Sequence, residues 1–257
     1  MKNTKVEYAT HTFNPWIGCK AVSAGCRNCF AEKMARRFHW DFSKRVRTSN
    51  TYWGQPHKWN QAAAKAGRLD TVLVGTLCDY LDDTVPIRWL YDLAMLIADT
   101  PHLFWLLLTK RPENFGKRLG ASVWKNVGLG VTVENQAMAE LRLPVLLKTP
   151  AALRFVSVEP MLEAVDLKPW LWTEADGCRL TTLDWVICGA ETGPGAREMD
   201  NNWACDLEVQ CARAGVPFYF KKASRGHTLV SRREFPACFA GALRQGSGQA
   251  RGAVESK

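Results

Sequence analysis

No stretch of this 257-residue chain approaches the roughly 18 consecutive apolar residues that a membrane-spanning helix needs. The opening MKNTKVEYATHTFNPW carries charge but no apolar stretch of the kind that marks a secretory leader. The two absences predict a cytoplasmic protein with no membrane partner. Internal repeats are also missing. In a reducing compartment the nine cysteines are not expected to form disulfides. They are then either small buried hydrophobes or functional thiolates, and spacing separates the two. Cys78 and Cys188 lie inside apolar runs (VLVGTLC, WVICG) and read as core residues, whereas Cys178, Cys205, Cys211 and Cys238 are scattered.

Cys19, Cys26 and Cys29 cluster, in the segment NPWIGCKAVSAGCRNCFAEKMARRF. The spacing is C-x6-C-x2-C, and a helix-like AEKMARRF follows. Amides at the start of that helix favour the thiolate form. Gly18 and Gly25 precede two of the cysteines, where a loop needs unusual backbone angles. A closed zinc site needs four ligands. No fourth cysteine or histidine lies at ligand spacing, so His11 or His39 would have to be recruited. A thioredoxin-like pair matches only in the bare spacing of Cys26 and Cys29. A [4Fe–4S] cluster held by three protein thiolates would leave one iron open to a substrate or cofactor.

From about residue 71, short apolar strand-like runs alternate with amphipathic stretches. The runs are 71–77, 102–109, 126–133, 153–158, 183–189 and 216–221, with another possible near TFNPWIG. Helices are predicted after Pro86, from Asn135 and ending at Gly215, with Pro144 bending or ending the second of them. Such alternation means β/α units and a parallel sheet buried on both faces. The expected fold is a partial, TIM-like (β/α) barrel, with a doubly wound open sheet as the alternative. One domain is expected over 1–240, with a cysteine-bearing segment at about 11–40 and an irregular insertion at 161–182. The Gly-rich tail 241–257 is expected to be flexible.

Most of the runs stop at a charged residue. In parallel β/α folds the C-terminal strand ends converge on the face that carries the site. Asp79, Lys110, Arg111, Glu134, Glu159, Glu191 and Lys221 would ring one mouth, joined by Gly189 in the turn GAETGPGAR. That turn lacks the spacing of a Walker phosphate loop or a dinucleotide fingerprint. A net charge of +9 is compatible with a nucleic acid or nucleotide partner. So is the interleaving of Trp16, Phe38, His39, Trp40, Tyr52, Trp53 and Trp59 with Arg36, Arg37, Lys44, Arg45 and Arg47, unless those rings simply cap one end of the barrel.

The segment NPWIGC…VSAGCRNCFAEKMARR resembles the opening signature of a phage- and bacteria-associated family of uncharacterised proteins near the radical S-adenosylmethionine (radical SAM) enzymes. The likeness continues through VLVGTLCDYLDDTVP, FWLLLTKRPENF, VWKNVGLGVTVENQ, RFVSVEPML, DWVICGAETGPGAR and QCARAGVPFYFKK. The resemblance implies a partial (β/α) barrel of radical SAM type. It implies a [4Fe–4S] cluster on Cys19, Cys26 and Cys29, with S-adenosylmethionine (SAM) on the open iron and an external electron donor. It also implies an enzyme that generates a 5′-deoxyadenosyl radical. The common spacing of that superfamily is C-x3-C-x2-C, and its glycine-rich SAM turn follows the second strand rather than the fifth. The candidate cofactor-binding residues are therefore taken from the ring: Asp79, Lys110, Glu134, Glu159, Gly189 and Glu191. The expected activity is modification of a nucleic acid base or nucleotide. The alternative is a nucleic-acid-binding protein stabilised by zinc or a cluster, without catalysis.

Overall fold

Continuous apolar runs with no polar alternation can be buried only when both faces of a sheet are covered. Seven strands build the sheet, most of them around such runs: β1 (His11–Phe13), β2 (Asp70–Val74), β3 (Leu103–Thr109), β4 (Val127–Thr132), β5 (Leu153–Val158), β6 (Trp185–Gly189) and β7 (Phe218–Lys222). The computed structural model describes residues 4, 6–118, 124–175, 178–224, 230 and 232–239. All neighbouring strands are parallel and follow chain order, β1-β2-β3-β4-β5-β6-β7. The sheet curls into a partial barrel, as expected. The doubly wound alternative is excluded, because such sheets reverse strand order at a switch point. The expected strand near TFNPWIG is β1, with a two-residue ribbon pairing Trp16–Ile17 to Val46–Arg47 beside it.

The main helices are α1 (Phe30–Arg37), α2 (Gln55–Lys65), α3 (Ile87–Ala98), α4 (Gln136–Lys148) and α5 (Asn201–Ala214). Side chains set several of their ends. Asn135 caps α4 by accepting from the Met138 N–H, and Asp200 caps α5 by accepting from the Asn202 N–H. Gly215 ends α5 at φ 70°. Pro144 does not end α4, which runs on to Lys148. A proline removes one helical hydrogen bond, and burial of Leu143 and Leu146 on either side of it offsets that loss. The 161–182 insertion contains a short helix, Lys168–Leu171, and an antiparallel hairpin, Trp172–Ala175 with Cys178–Thr181. Among the described residues, no helix is long and apolar enough to cross a membrane. The expected tail 241–257 lies outside the described residues.

Alternate residues of each strand enter different cores. On the outer face, Val72, Val74, Trp105, Leu107, Leu129, Val131, Val156, Val186 and Phe218 pack with helix residues such as Leu90, Leu93, Leu143 and Leu207. Each fully buried side chain of this size contributes ~1.5–3 kcal/mol. On the inner face, Leu73, Phe104, Leu106, Phe155, Trp185, Ile187 and Tyr219 form a second core, closed by Tyr8 and Phe239. Tyr8 sets its ring edge-on to both Trp185 (5.9 Å) and Tyr219 (5.8 Å), and Phe239 meets Phe104 at 4.9 Å. The N-terminal part of the interior is therefore solid. Polar side chains enter the inner face one layer higher, where Thr132 pairs in register with Ser157. The charged rim lies above them.

Candidate functional site

The strand-end residues separate into two groups, and the cysteine loop causes the division. Asp79, Glu134 and Glu191 are buried, whereas Lys110, Glu159 and Lys221 are half-exposed.

The buried group holds the loop. Arg111, just past β3, is fixed by Asp79 (3.1 Å) and lies 3.5 Å from Asp82. It donates to the Lys20 carbonyl at 2.6 Å and to Cys19 Sγ at 3.7 Å. Glu134, past β4, pairs with Arg142 of α4 at 2.8 Å and accepts the Gly25 N–H at 3.1 Å. Glu191, past β6, accepts from Asn28 Nδ2 at 2.8 Å and is gripped by Arg197 through its side chain (2.5 and 3.0 Å) and its backbone N–H (2.8 Å). Each of the three cysteines thus has, at itself or at a sequence neighbour, a contact from the end of a different strand.

The glycines of the loop serve two different purposes. Gly18 adopts φ +108°, and a Cβ there would fall 1.9 Å from the Lys44 carbonyl oxygen. Gly25 needs no positive φ. Its role is close approach, since a Cβ there would lie 3.0 Å from Glu134 Cδ. Cys29 is the N-cap residue of α1. A backbone bond from Cys19 N to the Phe42 carbonyl (3.1 Å) ties the loop to the segment after α1.

Electrostatics follow the same division. Burial pushes the Glu191 carboxyl up, but hydrogen bonds from Arg197 and Asn28 outweigh it and hold it at about 2. For Glu134, too, burial is outweighed, chiefly by Arg142 with help from the Gly25 N–H, and the carboxyl lies below the usual range. Burial, with Asp79 nearby, raises the Cys19 thiol to about 11 against the opposing pull of Arg111. A metal bound there would displace that proton.

The half-exposed group faces the mouth. Lys221 Nζ forms a short ion pair with Glu159 and lies 5.9 Å from the Tyr8 ring centroid. Gly189 lies beside that pair: a Cβ there would be in ordinary contact with Lys221 Cβ at 3.4 Å and Glu159 Cδ at 3.5 Å. Lys110 Nζ reaches Thr132 Oγ1 at 3.5 Å, while its backbone N–H donates to Asp79. Asn28 and Arg197 were not picked out by sequence reasoning. Their positions, inside the C-x2-C pair and at the end of the glycine-rich turn, were the available signals.

Three thiols on one loop are the donors available there to a metal ion or a cluster. Cys19, Cys26 and Cys29 are free and half-buried. Among the described residues, no three His, Cys, Asp or Glu side chains converge as they would around one metal ion. A tetrahedral zinc draws its thiolates to about 2.3 Å from a single centre, whereas in a four-iron cluster each thiolate has its own iron. His11 is not available as a fourth ligand. It lies at the N-terminal edge of the sheet, paired with Asp70 at 3.3 Å and stacked on Trp59 at 4.4 Å. Of the seven aromatics in the N-terminal region, Trp16, Trp53 and Trp59 are buried and Tyr52 packs against the same core. Only Phe38, His39 and Trp40 are exposed.

The curled parallel sheet is a half-barrel similar in fold to that of spore photoproduct lyase. The structure of that lyase with bound AdoMet and dinucleoside spore photoproduct matches with a TM-score of 0.51 at 12% identity, over 85% of this chain and 78% of the other. The complex with the dinucleoside photoproduct matches over the same shares at 0.52 and 12%. A sequence comparison with curated proteins finds no match. Over residues 3–246 the chain matches the family described as "Protein of unknown function (DUF5131)", and it belongs to that family.

Proposed function

We propose that this chain is an iron–sulfur-dependent enzyme of radical SAM type that modifies a nucleic acid base or nucleotide. The observation that carries the reading is the loop of three free cysteines, fastened by Arg111, Glu134 and Glu191 across the C-terminal ends of three barrel strands. The active face of such barrels lies at those ends. Cys19, Cys26 and Cys29 would hold a [4Fe–4S] cluster. With SAM bound, such a cluster supplies reductive SAM cleavage and hydrogen-atom abstraction from the substrate, with electrons from an external donor.

The protein's own residues do the positioning. Asp79 (through Arg111), Glu134 and Glu191 fix the loop that carries the thiolates. Lys110, Glu159 and Gly189, with Lys221, face the mouth and offer both signs of charge to the amino and carboxylate groups of SAM. The aromatic cluster of Tyr8, Trp185 and Tyr219 fills the barrel interior below the charged rim. Support for the substrate class comes from the net charge of +9 and from the lyase of similar fold, which binds AdoMet and a dinucleoside photoproduct. A cytoplasmic location remains part of this reading.

The test is anaerobic reconstitution followed by iron, sulfide and zinc analysis and a SAM-cleavage assay with a chemical reductant. The expected result is about four iron and four sulfide per chain, with 5′-deoxyadenosine formed, and loss of both in Cys29→Ala. One zinc and no iron would favour the non-catalytic alternative. A cluster without SAM cleavage would leave an electron-transfer protein.

A further inference from the structure

We propose that the Phe38–His39–Trp40 corner at the end of α1 is a stacking platform for unpaired bases of a nucleic acid strand. The inference deepens the substrate class proposed above and rests on that reading for its connection to the catalytic mouth. Phe38 is 51% exposed and Trp40 41%, while most of the other aromatic rings nearby are buried. The two rings are nearly parallel, 23° apart, with centroids 5.1 Å from each other.

The backbone builds this arrangement. Helix α1 ends with Phe38 N–H donating to the Met34 carbonyl, His39 N–H to Arg36 and Trp40 N–H to Ala35. His39 takes φ 56°, the left-handed conformation that glycine usually supplies at a helix end. Among the described residues it is the one non-glycine with positive φ. Strain of this kind persists where the surroundings enforce it, and such outliers cluster at functional sites. The turn brings Phe38 and Trp40 face to face and keeps both rings in solvent.

The charges around the corner select the partner. The Arg37 guanidinium lies 5.8 Å from the Phe38 ring centroid and has no acidic partner among the described residues. Arg36 and Lys44 add two more exposed cations, each beside a single carboxylate, Glu32 and Asp41 respectively. The centres of protein–protein interfaces are depleted of charge. An open stack of rings edged by arginines is the arrangement that receives bases and their phosphates. The corner also connects to the site, because the Phe42 carbonyl two residues beyond Trp40 accepts the Cys19 N–H.

The experiment is fluorescence anisotropy with a labelled single-stranded 12-mer of thymidines. The full, reconstituted chain is compared with Phe38→Ala/Trp40→Ala and with Arg37→Ala, and iron content is measured in each sample. The double variant should bind roughly tenfold or more weakly, since stacking is worth about 1–3 kcal/mol per base. Arg37→Ala should flatten the salt dependence. Iron content should not change, because no cysteine is touched. Equal affinity of parent and double variant at equal iron content overturns the proposal, as does a parent that binds no oligonucleotide. A parent dimer that the double variant disperses, with oligonucleotide binding unchanged, overturns it as well and makes the corner a contact between copies. Cys29→Ala separates the two readings. If it loses iron and SAM cleavage but keeps oligonucleotide binding, the platform stands by itself. If the parent holds no iron yet the corner variants still lose binding, the radical reading fails and the platform survives.

Discussion

Glu134 accepts a hydrogen bond from the backbone N–H of Gly25 at 3.1 Å, across 109 positions of sequence. One residue past Gly25 is Cys26, so a strand-end carboxylate sets the height of that thiol over the sheet. Gly25→Ala would place a Cβ 3.0 Å from Glu134 Cδ. Overpacking of this kind costs about 1–3 kcal/mol, and here the loop should yield before the sheet does. The expected outcome is slower and incomplete iron uptake, followed by absorbance during anaerobic reconstitution, with a melting temperature within a few degrees of the parent.

Glu134 also neutralises Arg142, and both side chains are almost fully buried. Glu134→Gln leaves an unpaired buried guanidinium, a change that costs about 3–5 kcal/mol. Adding Arg142→Met should recover most of that loss, because neither charge is then buried. Urea unfolding of the parent, both single variants and the double variant measures this. Additive losses in the double variant would show that the pair is not coupled.

The pH dependence of stability should include a contribution from Glu191. Its carboxyl is held at about 2 in the folded protein, against an ordinary value near ~4.3. A depressed folded value stabilises above the unfolded pKa, and that contribution is lost as pH falls through the folded one. The parent should therefore out-melt Glu191→Gln by a constant margin above pH ~5. The margin should narrow between pH ~4.3 and ~2. Calorimetry over that range tests it, and a margin independent of pH would mean that the Arg197–Asn28 grip does not depend on the carboxylate charge.

Gly130 makes the inner core possible. A Cβ there would sit 2.3–2.5 Å from the Phe155 ring, so β4 has to be bare where β5 places an aromatic. Gly130→Ala should lower stability by ~1–3 kcal/mol. Phe155→Leu in the same chain should relieve the clash, so that the double variant is more stable than the sum of the two changes predicts. Chemical unfolding gives the comparison.

Much of the fold was legible in the residues. The runs LFWLLLT, VGLGVT and WVICG have no polar alternation, and only a sheet covered on both faces can bury them. Asn135 and Gly215 marked helix ends because capping chemistry is local. Pro144 does not end its helix, as one of its two expected effects would have it, because the local cost is offset by the burial of Leu143 and Leu146, which depends on contacts distant in sequence. Cys78 and Cys188 read correctly as core residues from their apolar surroundings.

The sequence by itself determined the apolar strand runs, the charged strand ends and the isolation of Cys19, Cys26 and Cys29 from the other cysteines, since periodicity and spacing are properties of the chain; the strand order came from the structure. Only the tertiary structure decided what each charge does. Asp79, Glu134 and Glu191 are bonded to Arg111, Gly25 and Asn28, while Lys110, Glu159 and Lys221 face the mouth. The seven N-terminal aromatics divided in the same way, with Trp16 in the core and Trp40 in solvent. A side chain's partner is fixed by how the sheet curls and where the loop crosses it, and those distances link residues more than a hundred positions apart.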